Sequence, residues 1–128
     1  MNMIREQVLS FALSLPQTAA DQPFEEDFDT TVLRHTEDEK WFGLLMNVKK
    51  CRLGIDEEGS ADILNLKIDP EDSYAVRELY SGIIPAYHMN KRHWISVILD
   101  GRVPMDFCNM LIEKSYDLTK KRVRKSKA

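Results

Sequence analysis

The chain has 128 residues and a mass of 14.9 kDa, room for one hydrophobic core rather than two. It is 43% hydrophobic and 30% charged, and with 5 Gly and 5 Pro it is neither collagen-like nor low-complexity. Its net charge of −3 divides into an acidic stretch over 1–119 (21 acids against 12 Lys and Arg) and a tail over 120–128 with six basic residues and no acid. No apolar run approaches the roughly 20 residues of a membrane span. Residues 1–6 show no basic leader ahead of an apolar block, so a cytoplasmic location is expected.

Residues 3–15 read as an amphipathic helix. Ile4, Val8, Phe11, Ala12 and Leu15 recur at helical spacing, and Pro16 ends the run. From Pro16 to Asp29, two prolines and five acids predict an extended connection, pinned to the body by Phe24 and Phe28. Strands over 30–35 and 41–48 follow, joined by the polar turn Thr36-Glu37-Asp38-Glu39-Lys40. A strand near 51–55, a polar loop over 56–62 and a strand over 63–68 come next. In the last of these, Leu64, Leu66 and Ile68 alternate with Asn65 and Lys67, the pattern of a strand with one buried face.

Asp69-Pro70-Glu71-Asp72 predicts a helix start, because Asp69 can cap free amides, Pro70 suits the first turn and the acids complement the helix dipole. Tyr74, Val76, Leu79 and Tyr80 are the expected packing residues, with Gly82 in a left-handed position beyond them. Residues 84–89 and 93–100 then predict a hairpin around Asn90-Lys91-Arg92. A last helix opens at Pro104 with Phe107, Met110, Leu111 and Leu118 on one side and Lys114 at its edge. Hairpin-linked strands and interspersed helices predict an α+β fold: two layers, an antiparallel β-sheet with helices packed on one face. One domain over 1–119 and a basic tail over 120–128 are expected.

Chemistry-bearing motifs are few. Cys51 and Cys108 are isolated thiols without zinc-ligand or CxxC spacing. No nucleophile elbow, HExxH, Walker loop or GxGxxG occurs. The pairs Glu25-Glu26, Asp38-Glu39 and Glu57-Glu58 lie in polar loops, where adjacent side chains diverge. No catalytic residue, metal site or cofactor is therefore assigned, and a non-enzymatic protein is expected.

Leu66-Lys67-Ile68-Asp69-Pro70-Glu71, then Ile84-Pro85-Ala86-Tyr87-His88-Met89-Asn90-Lys91-Arg92-His93-Trp94 and Leu99-Asp100-Gly101, resemble the bacterial MmcQ/YjbR family. Lys40-Trp41-Phe42-Gly43-Leu44 and Glu113-Lys114-Ser115-Tyr116 extend the likeness over most of 3–122. The resemblance implies a CyaY-like, secretion-chaperone-like two-layer fold and a DNA-binding role. One departure is the acidic Glu37-Asp38-Glu39-Lys40, where relatives carry a glycine-rich turn. That tip is a poor phosphate-binding surface. An iron-binding acidic ridge on the first helix is also disfavoured, since Glu6 is its one acid.

The binding candidates are His88, Asn90, Lys91, Arg92, His93, Trp94 and Lys67. In a two-residue turn His88 would oppose His93, within reach of a shared ligand, with His35 as a conceivable third. Lys91 and Arg92 could meet phosphate while Trp94 or Tyr87 stacks on a base. The competing structural reading has Asn90 making the turn in a left-handed conformation and Trp94 filling the core. The tail residues Lys120, Lys121, Arg122, Arg124, Lys125 and Lys127 could grip phosphate or simply end the last helix. The sequence thus supports a non-enzymatic, DNA-binding protein; the alternative is a protein-interaction module or adaptor, and a metal-binding protein is third.

Overall fold

The computed structural model describes residues 3–24 and 29–120. In chain order these form α1 (Met3–Ser14), β1 (Thr18–Asp21), β2 (Thr31–His35), β3 (Trp41–Lys49), a 3-10 helix (Lys50–Leu53), β4 (Ser60–Lys67), α2 (Pro70–Leu79), β5 (Ile83–Pro85), β6 (Trp94–Ile98) and α3 (Met105–Thr119). The strands make one antiparallel sheet in the order β1-β2-β3-β4-β6-β5, so the fold is the expected α+β class. After β4, α2 carries the chain past the sheet's growing edge. β5 becomes that edge, and β6 returns between β4 and β5.

Strand register sorts the core into two faces. Leu33, Leu45, Leu64, Leu66, Ile95 and Val97 point to one side, where Val8 and Ala12 of α1 and Cys108, Leu111, Ile112 and Tyr116 of α3 close over them. On the other face Val48, Ala61, Ile63 and Ile98 are covered by Leu53, Ile55 and Tyr87. A bulge links the layers. Leu33 opposes Gly43 but Arg34 opposes Trp41, and the extra residue, Phe42, turns into the helix layer. Its ring there lies 5.1 Å from His35 and 5.6 Å from Tyr116.

Beside the bulge, Phe42 and Lys67 would be the next pair of the β3–β4 ladder. Ser115 of α3 joins them instead. Its hydroxyl accepts from the Lys67 amide at 2.9 Å and donates to the Phe42 carbonyl, so two buried backbone groups are satisfied by one side chain. Tyr116 reaches back in the same turn and donates to the Pro16 carbonyl at 2.7 Å, tying α3 to the end of α1.

Several expectations change in three dimensions. The connection after Pro16 contains β1, whose pairing with β2 overrides the weak strand propensity of Thr18-Ala19-Ala20-Asp21. Phe24 does pack edge-on against Trp41 at 6.4 Å, while Phe28 lies outside the described residues. The stretch near 51–55 is not a strand: it turns as a 3-10 helix that ends on left-handed Gly54, which lets Leu53 and Ile55 both face the sheet. Asp69 caps α2 as expected, accepting from the Glu71 amide at 3.0 Å. That helix, however, leaves Tyr74 and Leu79 67% and 61% exposed and packs through Val76 and Tyr80. Gly82 is not left-handed; a Cβ there would come within 2.9 Å of Val103, so closeness of chain to chain is what requires glycine. In α3 the buried stripe is Cys108, Leu111, Ile112, Ser115, Tyr116 and Thr119, rotated so that Met110 and Leu118 face outward.

Candidate functional site

Residues 86–93 do not form a tight hairpin. Pairing between β5 and β6 ends at Pro85 and Ile95, and the chain between folds back over the sheet face opposite the helices. Two buried polar residues on that face hold it. Asn65 of β4 and Ser96 of β6 are cross-strand partners, both 0% exposed. Ser96 donates its hydroxyl to Asn65 Oδ1 and accepts from the Tyr87 amide at 2.8 Å, and Asn65 Nδ2 donates to the Tyr87 carbonyl at 3.0 Å. The ring of bonds is closed, which is the condition under which buried polar groups rigidify rather than destabilise. The expected alternation of β4 thus fails at Asn65: its outward side chain anchors the loop.

The loop's own turn is made by Asn90, by a different device from the one expected. Its backbone is not left-handed; its Oδ1 accepts from the amides of Arg92 at 2.9 Å and His93 at 3.1 Å, and its carbonyl accepts from Trp94 at 3.0 Å. His88 takes the left-handed conformation instead, with φ 57°, and sets its ring edge-on against Tyr87 at 4.0 Å. His88 and His93 are not strand partners, and His35 is buried on the helix side, its Nε2 2.8 Å from the Thr119 hydroxyl. The three histidines therefore do not converge. Among the described residues no three His, Cys, Asp or Glu gather in a metal-sized cluster.

His88, Arg92 and His93 are exposed, and Lys91 donates to the Ala86 carbonyl at 2.9 Å while remaining at the surface. Trp94 is half-buried opposite Lys67 at the base of the loop, rather than filling the core. His88 lies elsewhere, beside Lys49 and Arg52, two cations that sequence reasoning missed. Together with Met46, Val48 and Tyr87 they line a groove of about 290 Å³, where the Tyr87 side chain holds the Arg52 pKa above its ordinary value. No local motif announces this meeting, since residues 46–52 and 87–88 join only through sheet pairing. Lys67 stands four to six residues along β4 from the rows paired with Met46 and Val48, roughly 13–20 Å at strand rise.

Charge pairing divides the described cations, and Lys40, Arg77, Lys114 and Lys120, like the cations of this region, make no ion pair with a described carboxylate. Among the described residues Arg5 pairs with Asp62, Arg34 with Asp21, Lys50 with Glu57, and Arg102 with Asp100 and Glu57. Lys49, Arg52, Lys67, Lys91 and Arg92 make no ion pair with any described carboxylate. The acid pairs expected to be solvated do structural work where they are described: Asp38 accepts from the Lys40 amide, and Glu57 holds Lys50 and Arg102. In the tail, Lys120 ends α3 with its ammonium 5.6 Å from the Tyr116 ring centre, and Lys121, Arg122, Arg124, Lys125 and Lys127 lie outside the described residues. Of the thiols, Cys51 is exposed, whereas burial pushes Cys108 up to about 12.

Fold and site define a small α+β protein whose sheet is sealed by helices on one face and by its own loop on the other. The family model described as YjbR matches residues 13–118, and the chain belongs to that family. It is 42% identical to the uncharacterized protein YyaQ of Bacillus subtilis over 92% of this chain and 99% of that one. It is 30% identical to the uncharacterized protein YbdF of Escherichia coli O157:H7, over 90% and 83%. Among solved structures, a crystal structure of a Pseudomonas syringae protein superposes with TM-score 0.86 at 39% identity, covering 91% of this chain and 98% of that one. A Deinococcus radiodurans protein superposes with TM-score 0.69 at 30% identity, covering 89% and 76%. No helix among the described residues is long and apolar enough to cross a membrane.

Proposed function

We propose that this chain is a non-enzymatic binding protein that contacts DNA phosphate with the loop-covered face of its sheet. The observation that carries the reading is the set of cations on and beside that face, Lys49, Arg52, Lys67, Lys91 and Arg92, which have no carboxylate partner among the described residues. Arg5, Arg34, Lys50 and Arg102 are paired within the protein, and the other described cations without an ion pair, Lys40, Arg77, Lys114 and Lys120, are spread over the β2–β3 turn, α2 and α3. An acidic chain can attract a polyanion only where its positive charge is left unneutralised. The acidic turn over 37–39 sits at the opposite end of β3 from Lys49 and Arg52, roughly 25 Å away at strand rise, so it does not cancel them.

Fluorescence anisotropy with a labelled oligonucleotide tests the reading through counterion release. For three phosphate contacts, affinity should fall about 40-fold between about 50 and about 200 mM salt. Combined Lys91→Ala and Arg92→Ala should weaken binding and flatten the salt dependence. Binding indifferent to salt, or unchanged by that pair of substitutions together with removal of residues 120–128, would contradict the proposal.

A protein-interaction role has its own supporting observation. Exposed Tyr74, together with Arg77 and Glu78 of α2, borders a groove of about 190 Å³ against edge strand β5. Binding of a protein partner that is lost on Tyr74→Ser, with Lys91 and Arg92 dispensable, would favour the adaptor reading.

A further inference from the structure

We infer that the groove at the Met46–Lys49 end of β3 holds one unpaired nucleotide, so that this face takes single-stranded DNA in preference to duplex. The inference rests on the DNA reading above and narrows its ligand. Its basis is shape joined to chemistry. A duplex is read by an element that projects into its major groove, usually a helix or a two-stranded ribbon. Here the loop over 86–93 is pinned back onto the sheet by Asn65 and Ser96, and what lies beside it is concave. At about 290 Å³ the groove is at the small end of ligand pockets, with room for a base-sized group but not for a duplex edge.

Its lining suits one nucleotide. Met46 and Val48 provide an apolar floor, the Tyr87–His88 edge-to-face pair an aromatic wall, and Lys49 and Arg52 the positive charge, with no carboxylate in the lining. Aromatic surface beside cations is how single strands are held without reading base sequence. The left-handed backbone of His88, uncommon for a residue with a Cβ, is what brings its ring against Tyr87. Further along the same sheet face, Lys67 and Trp94 repeat the pairing of cation and aromatic ring, where a strand leaving the groove could continue.

Anisotropy titrations of the full chain with a short labelled oligothymidylate and with a duplex of equal length, at low salt, test this. The single strand should bind about tenfold more tightly, and Arg52→Gln should remove most of that preference by weakening single-strand binding far more than duplex binding. Nitrogen–proton correlation spectra should show oligothymidylate shifting the amides of Arg52, Tyr87 and His88, and the same spectra establish that Arg52→Gln is folded. Equal or tighter duplex binding, an unaltered preference in Arg52→Gln, or amide shifts confined to other residues would overturn the groove assignment and leave the DNA reading standing. If the wild-type chain binds neither oligonucleotide, the DNA reading falls and this inference with it.

Discussion

The two faces of the sheet are built from alternate residues of the same strands, yet they exclude water by different means. On the helix side the seal is apolar, and its polar residues, Ser115, Thr119 and His35, bond inward to backbone or to one another. On the other side the seal depends on Asn65 and Ser96, whose bonds run to the backbone of a loop. Helices bring their own satisfied backbone to a packing surface, so side chains alone can cover the strands. A loop arrives with free amides and carbonyls, and the sheet must supply partners for them. That requirement explains two fully buried polar residues in the middle of central strands. It also leaves the loop's charged side chains pointing to solvent.

Substitutions on each face should separate the two modes. The largest effect is expected at Leu66, fully buried under the helices: Leu66→Ala should cost about 2–5 kcal/mol in urea unfolding and leave the exchange pattern of residues 86–93 unchanged relative to the whole. Next come the polar anchors. Ser115→Ala strands the Phe42 carbonyl and the Lys67 amide, and Asn65→Ala strands the Tyr87 carbonyl and the Ser96 hydroxyl; each should cost about 1–3 kcal/mol. The two should differ in where the damage appears. Hydrogen exchange in Asn65→Ala should accelerate selectively over 86–93, whereas Ser115→Ala should loosen the join between α3 and the start of β3. Equal loop exchange in both variants would mean the faces are not independent.

The smallest effect concerns pH. Burial pushes the His35 pKa below 6.5, against the opposing pull of Asp38. The unfolded chain therefore takes up this proton near pH 6.5 while the folded one resists it. The contribution of neutral His35 is complete above about pH 6.5 and declines as pH falls below that value. Thermal unfolding at pH 7.5 and 5.5 should show a loss of stability in the wild type that is reduced in His35→Phe. An identical loss in both would show that His35 does not titrate with unfolding.

Much of the fold was legible locally. The cap at Asp69, the first turn at Pro70, the helical spacing of Ile4, Val8 and Ala12, and the strands around Val32 and Leu44 all follow from short-range rules. β1 was missed because its four residues have little strand preference and exist as a strand only through β2. The buried side of α3 was rotated because Ser115 and Thr119, polar by type, are satisfied inside, while Met110 and Leu118 face outward. The motif carrying the family likeness proved partly architectural: Asn90 makes the turn, Ser115 completes the ladder and Tyr116 fastens the helix ends. His88 and Arg92 from the same stretches are exposed.

The sequence by itself determined the α+β class, the family and most element boundaries, because periodicity, capping and turn chemistry act between residues a few positions apart. Tertiary structure alone decided which groups share a surface. His88 meets Lys49 and Arg52 only because β3 and β6 each pair with β4 and the loop folds back across them. Pairing also decided which cations are neutralised: Lys50 finds Glu57, and its neighbour Lys49 finds no described carboxylate. Coulomb attraction depends on distance in space, and adjacent residues on a chain can face opposite partners.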